Sequence, residues 1–392
     1  MNFIKFSPKH IRLICNAMGL MCFFLLAFHT HASQHDIYKI GVMVGHTSKN
    51  SSKSNTEKIC ILKSTTDTLT NTSRDISVIF VENNRSASGS AQAALELIDK
   101  DVDIAVLPLL SKEAEAAAAF LTEAKIPYIT SATAMEVIKD TSLGLSIMPS
   151  NLYQAEVLAS YYLAQNSMNT LHIVNAQANR YSTEVSKEFL RLVLTQNPEI
   201  DVQVHQFTFE SQKEIAQKIE SGDVIFAPLF NPHIASFYHE LAATDKERLT
   251  ILGPDSIGGR KEFYDIIEQV SPNISVKFLK NWDGEVKGPN EKLFNSYANT
   301  YCPFEYTSFL SAYSFDLIQL IESQIDQLST LQDKKQAISV LKSSKYKTAM
   351  DGKSIDISNT GHNKKPMYLY QVTSQGNQKV TTLYVNESSN DK

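Results

Sequence analysis

From Ile37 onward, short apolar runs alternate with longer stretches whose apolar positions recur every three or four residues. KIGVMV is followed by EKICILKSTTDTL, then by ISVIFVEN, AQAALELIDK and VDIAVLPLL. Uninterrupted apolar runs fit strands covered on both faces, and the intervening 3.6-residue period fits helices, so this order predicts parallel βαβ units. The rhythm continues through KEAEAAAAFLTEA and IPYITS to SIMPSN at residues 146–151. A second series of similar size begins with AEVLASYYLA and LHIVNAQ and runs through VQVHQFTF and DVIFAPLF to LTILGPDS. After it come EFYDIIEQV, a strand ISVKFL, a loop holding the sole tryptophan Trp282, two helices across residues 290–342, and a β-rich tail. The tail reads SIDIS, a turn SNTGHNKKP, then the strands MYLYQVTS and KVTTLYV. At 392 residues the chain exceeds the roughly 250–300 that one core organises. Two α/β domains with several crossovers between them are expected.

The first 33 residues stand outside that pattern. Lys5, Lys9 and Arg12 precede the apolar LICNAMGLMCFFLLAF, which ends in HTHAS. This is the order of a secretory leader, with cleavage expected near Ala32 or Ser33. The apolar stretch falls short of the roughly 20 residues a spanning helix needs. Removing the leader takes three of the 37 basic residues and none of the 42 acidic ones, so the exported chain has a formal charge of −8. It carries no basic stripe interleaved with aromatics, which argues against a nucleic-acid partner. Cys60 and Cys302 remain after cleavage in a compartment that permits disulfides; the sequence leaves a bridge and two buried thiols equally open.

Enzyme signatures fail residue by residue. HELAA at 239–243 has Ala243 where a zinc motif needs its second histidine, and GPDSIGG at 253–259 has the glycine spacing of a phosphate loop but Gly259 and Arg260 in place of its Lys and Ser/Thr. There is no G-x-S-x-G elbow, and the ten histidines show no ligand spacing. No catalysis, metal or cofactor is expected.

Between residues 36 and 385 the chain resembles the type I periplasmic solute-binding proteins, in particular the branch that binds leucine, isoleucine and valine. The resemblance rests on a series of short segments in the right order. KIGVMVG resembles the family's opening strand, and NNRSASGSAQAALELIDKDVDIAVLPLLS its second helix and the strand leading to the first ligand loop. IPYITSATAMEV, SIMPSNLYQAEVLASYYLA and LTILGPDSIG resemble the second ligand loop, the first hinge and the second-lobe strand and loop. SYANTYCPFEYTSFLSAYSFDLIQLIE and MDGKSIDISNTGHNKKPMYLYQV resemble its closing helix and tail.

The resemblance implies two Rossmann-like lobes, 36–148 plus 279–346 and 149–278 plus 347–392, with a ligand cleft between them. It places three hinges near Met148–Ser150, Val276–Leu279 and Tyr346–Asp351. It further implies a monomeric periplasmic receptor that closes on a small zwitterionic solute and hands it to a membrane import complex of the ABC type. A sensor partner or an activator of an envelope enzyme that keeps the fold is the alternative. A zwitterion needs donors for its carboxylate and an acceptor for its ammonium. By position in the family, Ser111, Ala132 and Thr133 fall on the carboxylate wall, Ser111 doubling as a helix N-cap. Asp255, just after Gly253–Pro254, falls where the ammonium acceptor sits, and Tyr181 and Phe230 fall where aromatics close over the ligand. Two departures stand out. The first cleft loop, HTSKNSSKSN, carries Lys49 and Lys53 and no aromatic, and Leu107 stands where relatives have glycine before the first ligand loop. Glycine, at 14 residues, is scarce where the family needs backbone close to ligand.

Overall fold

The computed structural model describes residues 37–45, 53–72, 75–165, 169–258, 262–267, 269–282, 288–302 and 309–384. The expected leader, Lys49 and the side chain of Lys53 lie outside the described residues. Two sheets organise the chain. The first is parallel throughout, in the order β2-β1-β3-β4-β5: β1 Tyr38–Val44, β2 Ile76–Glu82, β3 Ile104–Val106, β4 Tyr128–Thr130 and β5 Gly144–Ser146. Their connections hold α1 (Lys53–Thr72), α2 (Ala87–Asp99) and α3 (Ser111–Glu123).

The second sheet takes seven strands: β6 Leu171–Ala176, β7 Val202–Phe207, β8 Val224–Phe226, β9 Leu249–Gly253, β10 Ile274–Lys280, β11 Met367–Thr373 and β12 Gly376–Leu383. They lie in the order β12-β11-β10-β9-β8-β6-β7, parallel except where β11 runs against β10 and β12 returns beside it. Around it lie α4 (Asn151–Ala164), α5 (Arg180–Gln196), α6 (Gln212–Lys218), α7 (His233–Ala242), α8 (Asp255–Gly258) and α9 (Glu262–Ile267). The chain then adds α10 (Pro289–Tyr301), α11 (Phe309–Glu322), α12 (Ile325–Leu328) and α13 (Ala337–Lys342). Among the described residues four α-helices and a short 3-10 turn, Lys334–Gln336, rather than two helices, thus occupy the stretch after residue 288.

Each sheet is covered on both faces, which is why its strands read as unbroken apolar runs. One face of the first sheet packs Ile59, Ile61 and Leu62 of α1 against Phe294, Phe315 and Ile318 of α10 and α11. Its other face packs Ala93, Ala94 and Leu97 of α2 against Ala114, Ala117 and Ala118 of α3, alanines that let the two helices lie close over the strands. In the second sheet, Phe226 of β8 stacks on Phe189 of α5 with ring centroids 3.8 Å apart, while Phe237 and Leu241 of α7 cover the opposite face. Cys60 on α1 and Cys302 at the end of α10 are joined by a disulfide with Cα atoms 5.9 Å apart.

The helices from α10 to α13 belong to the core of the first sheet although they follow the second in sequence. Around the third hinge expected, at Tyr346–Asp351, the chain packs with the core of the first sheet. Ala349, Met350 and Ile355 are buried in the first core, and Gly361 O accepts a bond from Ser146 N at 2.8 Å. The tail SIDIS forms only isolated bridges, Lys347 with Ser354 and Ile357 with Asn363, before the chain reaches β11.

Candidate functional site

In an open parallel sheet the crevice forms where the strand order reverses, at the carboxyl ends of the strands. The first sheet reverses at β1, flanked by β2 and β3; the second reverses at β6, flanked by β7 and β8. The residues that follow β3, β6, β8 and β9 are the ones the sequence singled out: Ser111, Tyr181, Phe230 and Asp255.

Asp255 is placed by its neighbours. Gly253 ends β9 where a Cβ would meet Ile257 Cδ1 at 2.2 Å and the Ala227 carbonyl at 3.0 Å, so only glycine fits, and the chain turns through Pro254 to open α8 with Asp255. Its carboxylate accepts a bond from Asn281 Nδ2 at 2.6 Å, and its backbone N–H donates to Gln154 Oε1 at 3.1 Å. Burial pushes the Asp255 carboxyl above the usual carboxylate range, opposed by the polar groups of Gln154, Asn281 and Tyr181. No lysine or arginine forms an ion pair with it among the described residues. Tyr181 packs its ring 4.8 Å from that of Phe230 and sets its hydroxyl beside Asp255 and Ser256. Burial, reinforced by the Asp255 charge, raises that hydroxyl's pKa, so it stays protonated. Among the described residues no hydrogen bond of normal geometry satisfies the Tyr181 hydroxyl, the Ser256 hydroxyl, Gln154 Nε2 or Asn281 Oδ1. Phe230 remains 44% exposed.

On the first lobe the expected N-cap is displaced by one residue. Leu110 is the N-cap of α3 and makes no side-chain cap bond. Ser111 is the first helical residue, and its hydroxyl accepts instead from Ala134 N at 3.4 Å, tying α3 to the loop after β4. Glu113 N and Ala114 N turn back to the Leu110 carbonyl, and among the described residues the N–H groups of Ser111 and Lys112 have no acceptor at the helix start. Ala132 N is held by Thr130 Oγ1 at 3.0 Å, and Ala132 is buried. Thr133 is half-buried, and its carbonyl accepts from Asn151 N at 2.9 Å.

The first turn of α4 therefore touches both walls: Asn151 holds Thr133 of the first, and Gln154 holds Asp255 of the second. Ser150 caps that turn by accepting from Tyr153 N at 3.1 Å. Beneath it Lys365, almost fully buried, pairs with Asp351 at 2.9 Å and bonds the Tyr313 hydroxyl at 3.2 Å. Tyr313 of α11 in turn lies within electrostatic reach of Asp255. Asn151, Gln154 and Asn281 carry no motif; the available signal was two amides one turn apart at the start of an otherwise apolar helix. No cluster of metal-ligating side chains occurs among the described residues.

The arrangement is a cleft with uncommitted helix N–H groups on one wall and a cation-free carboxylate on the other. Solved structures share its architecture. The leucine-binding protein LivK of Thermotoga maritima superposes with a TM-score of 0.69 at 16% identity, over 89% of this chain and 99% of that one. The branched-chain amino acid binding protein LivJ of Streptococcus pneumoniae, solved with isoleucine, gives 0.66 at 17% identity over 88% and 99%. A solute-binding protein of an ABC transporter from R. palustris, solved with 4-hydroxybenzoate, gives 0.69 at 18% identity over 89% and 97%. No curated protein sequence matches the chain. The family model described as periplasmic binding protein matches residues 70–377, most of the length, and the chain belongs to that family of two-lobed, type I solute-binding proteins.

Proposed function

We propose that this protein is an extracytoplasmic receptor for a small zwitterionic solute, an amino acid or a close relative, which it delivers to an ABC import complex. The observation that carries the reading is Asp255. A half-buried carboxylate set among neutral polar groups, with no cation partner among the described residues, is costly unless a ligand supplies the charge. An ammonium on Asp255 would face a carboxylate held by the N–H groups of Ser111 and Lys112, where the positive end of the α3 dipole favours an anion. Tyr181 and Phe230 would close over the remainder of the solute. The solutes of the neighbouring structures, leucine, isoleucine and 4-hydroxybenzoate, are of the size this reading requires. The leader-like first 33 residues and the bonded Cys60–Cys302 pair fit a periplasmic location. No described helix is long and apolar enough to cross a membrane.

Thermal shift with the twenty amino acids and a set of benzoate-type acids tests the proposal. A solute at about one hundred times its Kd stabilises the fold by about 2.7 kcal/mol. Asp255→Asn should weaken binding of the responding amino acid about 10- to 100-fold in calorimetry, the size of a lost charged hydrogen bond. Silence across the whole panel would sink the receptor reading. A response confined to acids without an amine, unchanged in Asp255→Asn, would remove the zwitterion and leave a different solute class.

A further inference from the structure

Arg180 is the first residue of α5, where a cation opposes the helix dipole and a carboxylate would be the stabilising choice. Within the helix only the pair with Glu184, at 3.6 Å, offsets that cost. Its guanidinium instead reaches from the second lobe to carboxylates of the first. Nη2 lies 3.1 Å from Glu115 Oε2 on α3 and 3.0 Å from Glu136 Oε2 in the short helix Met135–Val137, both of the first lobe. Within its own helix, Nε lies 3.6 Å from Glu184. On the far side Lys139 braces Glu115 at 3.2 Å. Burial pushes the Glu115 carboxyl up, but the bonds from Lys139 and Arg180 outweigh it and hold the pKa below its usual range. The backbone before Arg180 is shaped for the reach: Ala178 has φ +56°, and the Asn179 side chain caps the helix by accepting from Ser182 N at 3.1 Å. Tyr181, whose hydroxyl sits at Asp255, is the next residue.

We propose that Arg180 is an electrostatic latch that holds the lobes closed across the rim of the cleft, and that its place beside Tyr181 ties latching to occupation of the site. The latch is independent of solute identity; its link to solute release rests on the receptor reading above. Rim pairs contribute little singly, but two carboxylates on one guanidinium, both broken when the lobes part, shift an open-closed equilibrium by about three- to tenfold. Because the Arg180 side chain is 53% exposed, the shift is screened by salt.

The test uses spin labels on Glu123→Cys and Thr195→Cys, on the outer sides of the two lobes, in solute-free protein. Arg180→Gln should raise the open fraction about three- to tenfold at 20 mM NaCl, and 500 mM NaCl should open the unmutated protein by a similar factor. Arg180→Glu should open it further, and adding Glu115→Arg and Glu136→Arg should restore closure. Identical distance distributions in Arg180→Gln and unmutated protein at both salt concentrations would overturn the latch. A second arm follows release of leucine by stopped flow. Opening accompanied by release several-fold faster supports both halves. Opening in a protein that takes up no leucine keeps the latch and excludes leucine as its solute.

Discussion

His172 of β6 lies fully buried with both ring nitrogens engaged, Nε2 at 2.9 Å from Asp223 Oδ2 and Nδ1 at 2.9 Å from His205 Nε2 on β7. Since Asp223 accepts, His172 carries its proton on Nε2 and receives one from His205, which leaves His205 to take any further proton against its surroundings. Burial, then His172 and then Lys218 push the His205 pKa down to about 4, with Glu214 opposing. A histidine depressed in the fold contributes stability above its unfolded value of 6.5, and that stability is lost as pH falls from 6.5 towards 4. The midpoint of thermal unfolding should therefore drop over that interval, and His205→Gln should flatten the drop. Equal pH slopes in the two proteins would refute the assignment. The sequence offered no such chain, because its members come from β6, β7 and the start of β8 and meet only through strand pairing. Asp255 was legible because the Gly-Pro pair before it records a steric demand. Arg180 was not, although its position against the helix dipole was the available signal.

Among the elements, the disulfide joins the middle of α1 to the end of α10, two helices on the same face of the first sheet separated by 242 positions. A loop of that length costs the unfolded chain up to about 5 kcal/mol in the chain-entropy view. Cys60→Ser/Cys302→Ser should accordingly melt several degrees lower, while a saturating solute should still shift its melting point, because Asp255 and Tyr181 are built on the other sheet. Loss of the solute shift itself would place the disulfide in the site rather than in the scaffold. The strands were the most legible elements, since burial on both faces leaves KIGVMV and DVIFAPLF with a single reading. The helices after residue 288 were less so: between α11 and α13 the pattern stays amphipathic while the chain turns at Ser323–Gln324 and again near Asp333. SIDIS alternates like a strand, yet the alternation records only that Ile355 is buried on one side of a strap running over the first core.

Across the whole molecule, where the chain bends is set by who holds the strap. Asn363 donates from its backbone N–H to the Ser146 and Met148 carbonyls at 3.0 and 3.2 Å, and from Nδ2 to the Ile147 carbonyl at 3.1 Å. Its Oδ1 accepts from Asp356 N at 2.9 Å. The first crossing and the strap are therefore fastened to each other at the edge of β5, and Lys365, paired with Asp351 at 2.9 Å, fastens the strap again two residues on. Nothing in the sequence marks this point, since an asparagine in SNTGHNKKP reads as an ordinary turn residue. Asn363→Ala would remove the acceptor of the Asp356 N–H and leave the buried carbonyl of Ile147 without this donor, the latter worth about 1–3 kcal/mol. Hydrogen exchange should then speed at least tenfold at the amides of Asp356 and Asn363, while the amides of Ile225 and Ile251 in the second sheet stay protected. A uniform loss of protection across both sheets would mean that Asn363 supports the global fold, and that the lobes bend elsewhere.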